Sequence, residues 1–555
     1  MAPAADIDLF APFEKDTILE IRTSRMKTMP GLTIQSGIDK QECSGKIPVT
    51  FLGLDADEHD LTFHGGKDKA IHGYCSSHYA QWIREFPDAS SRFKPGGFGE
   101  NFVTERMNER NVCIGDILSV GDDGVLLQVS LPRQPCFKLN HRFQLKNFAP
   151  NTYKLSRTGW YYRVLHEGAV QAGDEIRLVE RRWPKWTIER VQEYLHRTPD
   201  NPEMNEELSQ IADMGDESRK AFEARVTKFK AKQKREANGG IEEVEKWRDY
   251  KLVEKKTQTS RITSFVLEAV TAPSLDVEAN DVKLGSHVRL KLPNGLLRSY
   301  SIVSGNETRF ELGIALEEPS RGGSVYLHHN TKEGDIIQVG RITSDVKPAG
   351  AASNHVFIVG GIGITAFLSM MEMYRQINWE TTLHYGLRTL EDMPFRERLD
   401  KMRDSVKLYD RSKGERMDIG GIFRNLSWNS HVYVCGPQRM LDEAVKEARK
   451  CGLGEEEVHF EAFSADTTGD PFEVEVSNRQ AKVLKVGSEE TLLEVLKQHF
   501  DDVPSSCEVG NCGTCRVVLK SGNVEHRGTA LMDEDKKEAM LSCVSRGIGR
   551  IAIEI

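Results

Sequence analysis

Four cysteines near the C-terminus constrain this chain more than any other feature: Cys507, Cys512 and Cys515 form a C-x4-C-x2-C loop, and Cys543 follows downstream. This is the spacing by which one tight loop wraps a [2Fe-2S] cluster, with three close thiolates and one distant one. Gly510 and Gly513 inside the loop let the backbone pass near the inorganic sulfides, where its N–H groups tune the potential. A structural zinc site is the alternative, but zinc usually takes paired C-x2-C spacings.

The remaining chain is too long for one core: 555 residues imply roughly three to five domains. Hydrophobic residues at 39% and charged residues at 29% read as globular throughout. The net charge of -9 offers no general attraction to nucleic acid. The most apolar stretch, Val356 to Met371, holds three glycines and falls short of the ~20 residues a bilayer-crossing helix needs. No membrane association is expected. The N-terminal residues carry acidic groups and no basic run leading into an apolar one, so a cytoplasmic location is the expectation. Ten cysteines in such a chain argue against a disulfide framework, and Cys43, Cys75, Cys113 and Cys451 read as packed residues.

Pattern shifts mark the domains. Residues 20–180 show short β-branched runs broken by Gly, Pro and Asp turns, with helical pattern only around His78 to Glu85. Residues 183–230 turn charged and helix-favouring, consistent with three short helices, and 231–246 form a charge run holding Gly239-Gly240, as in a solvated linker. β-pattern returns over 247–350. Strands alternate with helices over 351–463, the pattern of a doubly wound sheet. After an acidic stretch, 471–555 hold the cysteine cluster.

Two segments read as a flavin site. Arg298-Ser299-Tyr300-Ser301 follows an expected strand, and Arg321-Gly322-Gly323-Ser324 offers small residues, N–H donors and a hydroxyl for a phosphate. The first fits the R-x-Y-[ST] pattern of the ferredoxin-reductase superfamily, where the Arg meets flavin phosphate and the Tyr and Ser meet the ring. Gly360-Gly361-Ile362-Gly363-Ile364-Thr365, between an apolar run and a helical pattern, suits a pyrophosphate at a helix N-terminus. Tyr385-Gly386-Leu387-Arg388 and Cys435-Gly436-Pro437 follow later strands. In that superfamily both flank the nicotinamide nucleotide. With the C-terminal cysteine loop, the order of motifs resembles the phthalate dioxygenase reductase family, which implies FMN and NADH. Arg388, Arg411 and Lys413 suit a 2′-phosphate while Asp410 argues the other way, so NADH and NADPH both stay open, with NADH favoured.

In the N-terminal region His64-Gly65-Gly66-Lys67-Asp68-Lys69-Ala70, Phe98-Gly99-Glu100-Asn101 and Pro132-Arg133-Gln134-Pro135-Cys136-Phe137-Lys138-Leu139 stand out. They resemble the molybdenum-cofactor sulfurase C-terminal (MOSC) fold, and within it the small bacterial branch that reduces N-hydroxylated compounds. The resemblance implies a molybdenum cofactor with Cys136 as a thiolate ligand, Arg133 and Lys138 near its phosphate, and His64, Lys67 and Lys69 lining the pterin site. Asn101 is a further candidate for cofactor or substrate contact.

The expected architecture is therefore multidomain α/β and β: a MOSC barrel with a helical appendage, a flavin-binding β-barrel, a doubly wound nucleotide domain and a β-grasp ferredoxin domain. The implied activity is a self-contained oxidoreductase that takes electrons from NAD(P)H through FMN and [2Fe-2S] to reduce hydroxylamines, amidoximes or N-hydroxy bases, in detoxification, without a separate reductase. The alternative is an electron donor to a separate oxygenase, with the N-terminal domain as a sulfur carrier or docking module.

Overall fold

The computed structural model describes residues 10–60, 65–237, 247–271, 282–316, 322–344, 349–461, 463, 468–505, 508–510, 513–528, 530–531 and 535–555. The N-terminal sheet runs Glu175–Glu180, Ile117–Val120, Val125–Pro132, Trp160–His166, Ile71–Cys75, Phe102–Thr104 and Lys15–Thr23, and closes where Lys15 pairs with Arg177. Its inward residues, among them Ile18, Ile71, Leu118, Leu127, Val129 and Trp160, form one apolar core.

Two helices here have no amphipathic signature in the sequence: Phe137–Phe143 and Phe148–Lys154. The first is buried almost all round, including Lys138, Asn140 and His141, so no polar stripe marks it. Cys136 is its N-cap residue.

The appendage follows as Ile188–Gln192, capped by the Thr187 hydroxyl, then Pro202–Ser209, capped by Asn201, then Asp216–Ala237. The last helix is longer than expected and takes in the first part of the stretch read as a linker. Its Lys, Arg, Glu, Gln and Ala content favours helix strongly enough to carry on through the charge run.

Six strands then close a second barrel, in the order Arg248–Thr257, Ile262–Ala269, Arg309–Ala315, Leu297–Gly305, Ser286–Lys291 and Ile336–Ser344. The next domain is a parallel sheet ordered Val406–Asp410, Thr381–Leu387, Asn354–Gly360, Ser430–Cys435, Val458–Glu461. Its order reverses at Asn354–Gly360, which places the glycine-rich turn at the switch point of a doubly wound fold. The C-terminal sheet, Lys482–Val486, Phe472–Val476, Arg546–Glu554, Arg516–Glu525 and Ala539–Leu541, packs on the helix Leu492–His499, whose Thr491 and Glu494 form a capping box.

The N-terminal domain sits on the edge of the parallel sheet where the strands begin. Thr33 bonds Glu380, Asn140 bonds the Ala351 carbonyl, Lys146 pairs with Glu457 and His141 meets the Trp428 ring, and each of these partners just precedes a strand. Trp379 packs into a cluster of Met29, Leu32, Ile34 and Phe137. The 7-residue strand Asn354–Gly360 puts about 20 Å between this edge and the opposite one. Among the described residues no helix is long and apolar enough to cross a membrane.

Candidate functional site

At the strand-end edge, the motif residues converge. Arg298 and Tyr300 lie on Leu297–Gly305, and Gly322, at φ 86, opens the helix Gly323–Asn330. A Cβ on Gly323 would come within 2.6 Å of Arg298 Cγ and 3.1 Å of the Tyr300 hydroxyl, so only glycine lets these elements meet. Ser324 is buried beside it. Arg321 lies outside the described residues.

The nucleotide turns interlock in the same way. A Cβ on Gly363 would lie 2.4 Å from the Cys435 carbonyl oxygen, and one on Gly360 would lie 2.9 Å from Pro437 Cδ. Gly436 approaches the Gly360 backbone, and Gly361, at φ 54, presents its carbonyl to the Tyr385 hydroxyl at 2.7 Å. Thr365 is buried and donates to the Ile362 carbonyl at 2.9 Å. Arg388 is exposed at the end of its strand, and its carbonyl accepts from Ser412. Asp410 binds Ser412 and Lys413, and the Ser412 bonds hold its carboxyl below the usual range.

Glu461, which no short motif marks, is placed here by register. It ends Val458–Glu461 opposite Cys435 and accepts from the Ser301 hydroxyl at 3.2 Å, across the seam between the barrel and the nucleotide domain. Burial pushes the Cys435 thiol well above its ordinary pKa, and the Glu461 charge adds to the effect. The only clue to Glu461 was its place at the end of the fifth strand.

In the C-terminal domain Cys515 and Cys543 are buried with their Sγ atoms 3.0 Å apart. Gly510 and Gly513 take left-handed φ values of 83 and 73, as the loop requires. Cys507 and Cys512 lie outside the described residues. The Ser505 carbonyl, close to the loop in sequence, accepts from Arg289 of the flavin barrel at 3.1 Å.

The N-terminal domain holds a cleft, partly open to solvent, lined among others by Lys40, Asp60, His72, Arg133, Cys136 and Lys138. Cys136 is half-buried and Arg133 is buried. Arg133 Nη1 has no hydrogen-bond partner among the described residues. Lys138 instead pairs with Asp60 at 3.0 Å. Burial and the Arg133 charge drive His72 well below its ordinary pKa, so the ring is neutral.

Other candidates fall outside the cleft wall or have structural partners. Asn101 lines the cleft, but its amide is taken up by Arg22, Asp57 and the His72 N–H. Lys67 is exposed on a turn opened by Gly66, and Lys69 pairs with Glu217 of the appendage. His64 lies outside the described residues. Cys75 and Cys113 are packed, whereas Cys451 ends a helix and is exposed, contrary to expectation.

Family models match three segments: MOSC domain over residues 60–177, YiiM-like 3-alpha helix domain over 186–229, and 2Fe-2S iron-sulfur cluster binding domain over 475–546. A reductase from Gibberella moniliformis is 37% identical over 562 residues, covering 97% of this chain and 95% of its own. The phthalate dioxygenase reductase of Burkholderia cepacia is 33% identical over 310 residues, 53% of this chain and 93% of that one. Among solved structures, YiiM from Geobacillus stearothermophilus is 30% identical, covering 38% of this chain and 99% of that chain, with a TM-score of 0.33. Fold and sites define an NAD(P)H-dependent oxidoreductase that transfers electrons through flavin and [2Fe-2S] modules. The chain belongs to the phthalate dioxygenase reductase-like family, and it carries MOSC and YiiM-like 3-alpha domains in front of the reductase.

Proposed function

We propose that this chain is a self-contained reductase of N-hydroxylated compounds, using NADH in preference to NADPH, FMN as its flavin, and a molybdenum cofactor held in the thiol cleft. The observation that carries the reading is the presence in one cleft of a half-buried thiol, Cys136, and a buried guanidinium nitrogen of Arg133 that lacks a hydrogen-bond partner among the described residues. An unpaired buried donor is costly, and an anionic ligand would relieve it. These residues fit a phosphate-bearing cofactor with a soft metal: Cys136 would supply a thiolate and Arg133 would hold the phosphate. Lys138, engaged by Asp60, would shape the wall rather than bind phosphate.

When bound, the four groups supply hydride acceptance, one-electron storage and a metal able to take oxygen from an N–OH group, leaving an amine or amidine. The chain's residues supply position. Arg298, Tyr300, Gly323 and Ser324 seat the flavin, and Ser301 and Glu461 orient its reacting edge toward the nucleotide. Gly360, Gly361 and Gly363 admit the pyrophosphate, and buried His72 presents an uncharged face to the cleft. Fusion raises the effective concentration of donor and acceptor, so no separate reductase is required. Detoxification suits this breadth of substrate.

The test is cofactor analysis of the full chain from a molybdopterin-competent host, with an N-hydroxylated substrate assayed beside Cys136→Ala. Stoichiometric molybdenum and loss of activity in the variant support the reading. Iron and flavin without molybdenum overturn it. Full activity of Cys136→Ala would favour the reading suggested by the relatives' names, an electron donor to a separate oxygenase.

A further inference from the structure

The loop that follows the helix Ile364–Gln376 reaches out of the nucleotide domain toward the thiol cleft. Its Asn378 sits at φ 55, in the left-handed region that Asn and Gly tolerate. The side-chain amide donates to the Gln35 carbonyl at 2.7 Å and to Asp60 Oδ2 at 2.9 Å. Asp60 Oδ2 also accepts from Lys138 Nζ at 3.0 Å. Asp60 and Lys138 both line the cleft that Cys136 enters, and both are largely buried. The adjacent Trp379 packs on Phe137, the residue after Cys136. The reductase module thus touches both the acidic and the thiol sides of the site.

We propose that the nucleotide-binding domain completes the thiol cleft, with Asn378 as the positioning residue that fixes the Asp60–Lys138 pair. An amide is suited to this task because it gives the carboxylate a second donor without adding charge. Asp60 can then hold Lys138 at the wall without turning away from it. Trp379 keeps the loop seated. The N-terminal domain alone would lack this donor, and its cleft would differ in shape and charge.

Two measurements test this. The first uses the full chain with flavin and iron but no molybdenum, and reads carboxymethylation and carbamidomethylation of the Cys136 peptide by mass spectrometry. The ratio of the iodoacetate rate to the iodoacetamide rate reports the charge of the cleft wall, because thiol ionisation cancels. Asn378→Asp is expected to lower this ratio by about threefold or more, since it sets a second carboxylate against Asp60. Trp379→Phe keeps an aromatic ring in the seat of the loop, adds no charge and is expected to leave the ratio unchanged. An unchanged ratio in Asn378→Asp, or an equal fall in Trp379→Phe, overturns the proposal.

The second measurement rests on the molybdenum reading. Asn378→Gly keeps the left-handed backbone and removes only the amide. In the loaded enzyme it is expected to raise KM for an N-hydroxylated substrate while kcat and NADH-driven ferricyanide reduction hold. Equal loss of both activities would mark Asn378 as merely structural. The alkylation result stands whether or not molybdenum binds, so failure of the cofactor reading is distinguishable from failure of this one.

Discussion

The Ser301 hydroxyl and the Glu461 carboxylate meet at 3.2 Å across the seam between the flavin barrel and the nucleotide domain. Ser301 lies mid-strand in Leu297–Gly305 beside the core residue Ile302, and Glu461 ends Val458–Glu461, whose Val458 belongs to the core of the nucleotide domain, so the contact reports the alignment of the two domains. Ser301→Ala is expected to slow NADH-driven flavin reduction by about tenfold or more, as when a positioned polar group at a reacting centre is removed. Stopped-flow absorbance of the flavin checks it. A rate within twofold of the parent would mean the hydroxyl does not act at the reacting edge.

Glycine substitutions separate the two binding turns. Gly363→Ala drives a Cβ to 2.4 Å from a backbone oxygen, where relief requires the Cys435 turn to move. It should destabilise the nucleotide domain by about 1–3 kcal/mol and raise KM for NADH. Gly323→Ala crowds Arg298 and Tyr300 and should lower flavin occupancy in the purified chain, read by release and fluorescence.

Cys543→Ser should remove the visible absorption and electron paramagnetic resonance of the cluster. Direct ferricyanide reduction at the flavin should persist while reduction of one-electron protein acceptors is lost. Parent-like spectra would point to other ligands and contradict the role read from the spacing.

Acid should weaken the nucleotide domain through histidines it keeps neutral. Burial, then the Lys407 charge, takes His384 down to about 4, and burial, then His431, takes His459 down to about 4. Unfolded, each titrates near 6.5, so the unfolded chain binds more protons between these values. Stability is therefore complete above about 6.5 and falls toward pH 4, by up to about 1.4 kcal/mol per pH unit for each histidine. Thermal melts from pH 7.5 to 4.5 should show the fall, and His384→Phe should make it shallower. Identical slopes would place the acid sensitivity elsewhere.

The chemistry of the reductase half was legible because it resides in local turns. Glycines, a Cys-Gly-Pro turn and a fixed cysteine spacing must lie close in sequence to crowd a phosphate or an iron-sulfur centre. Glu461 and Asn378 were not legible, since each acts through a partner more than a hundred residues away and neither sits in a motif. The helix after Cys136 was hidden by its burial on nearly every side. Lys138 reads from the sequence as a phosphate partner, whereas the structure pairs it with Asp60, and that bond depends on the fold of a remote loop and could not be read from its neighbours.

The side of a doubly wound sheet where strands begin is ordinarily the quiet side of an enzyme, remote from its ligands and free to drift. Here Trp379, Trp428 and Glu457 on that side carry the N-terminal domain. Changes that would pass unnoticed in a free-standing reductase become changes to the seat of a second domain. One small sheet is thereby held to account from both directions, and neither half of the protein can be exchanged for a cousin's without refitting the surface between them.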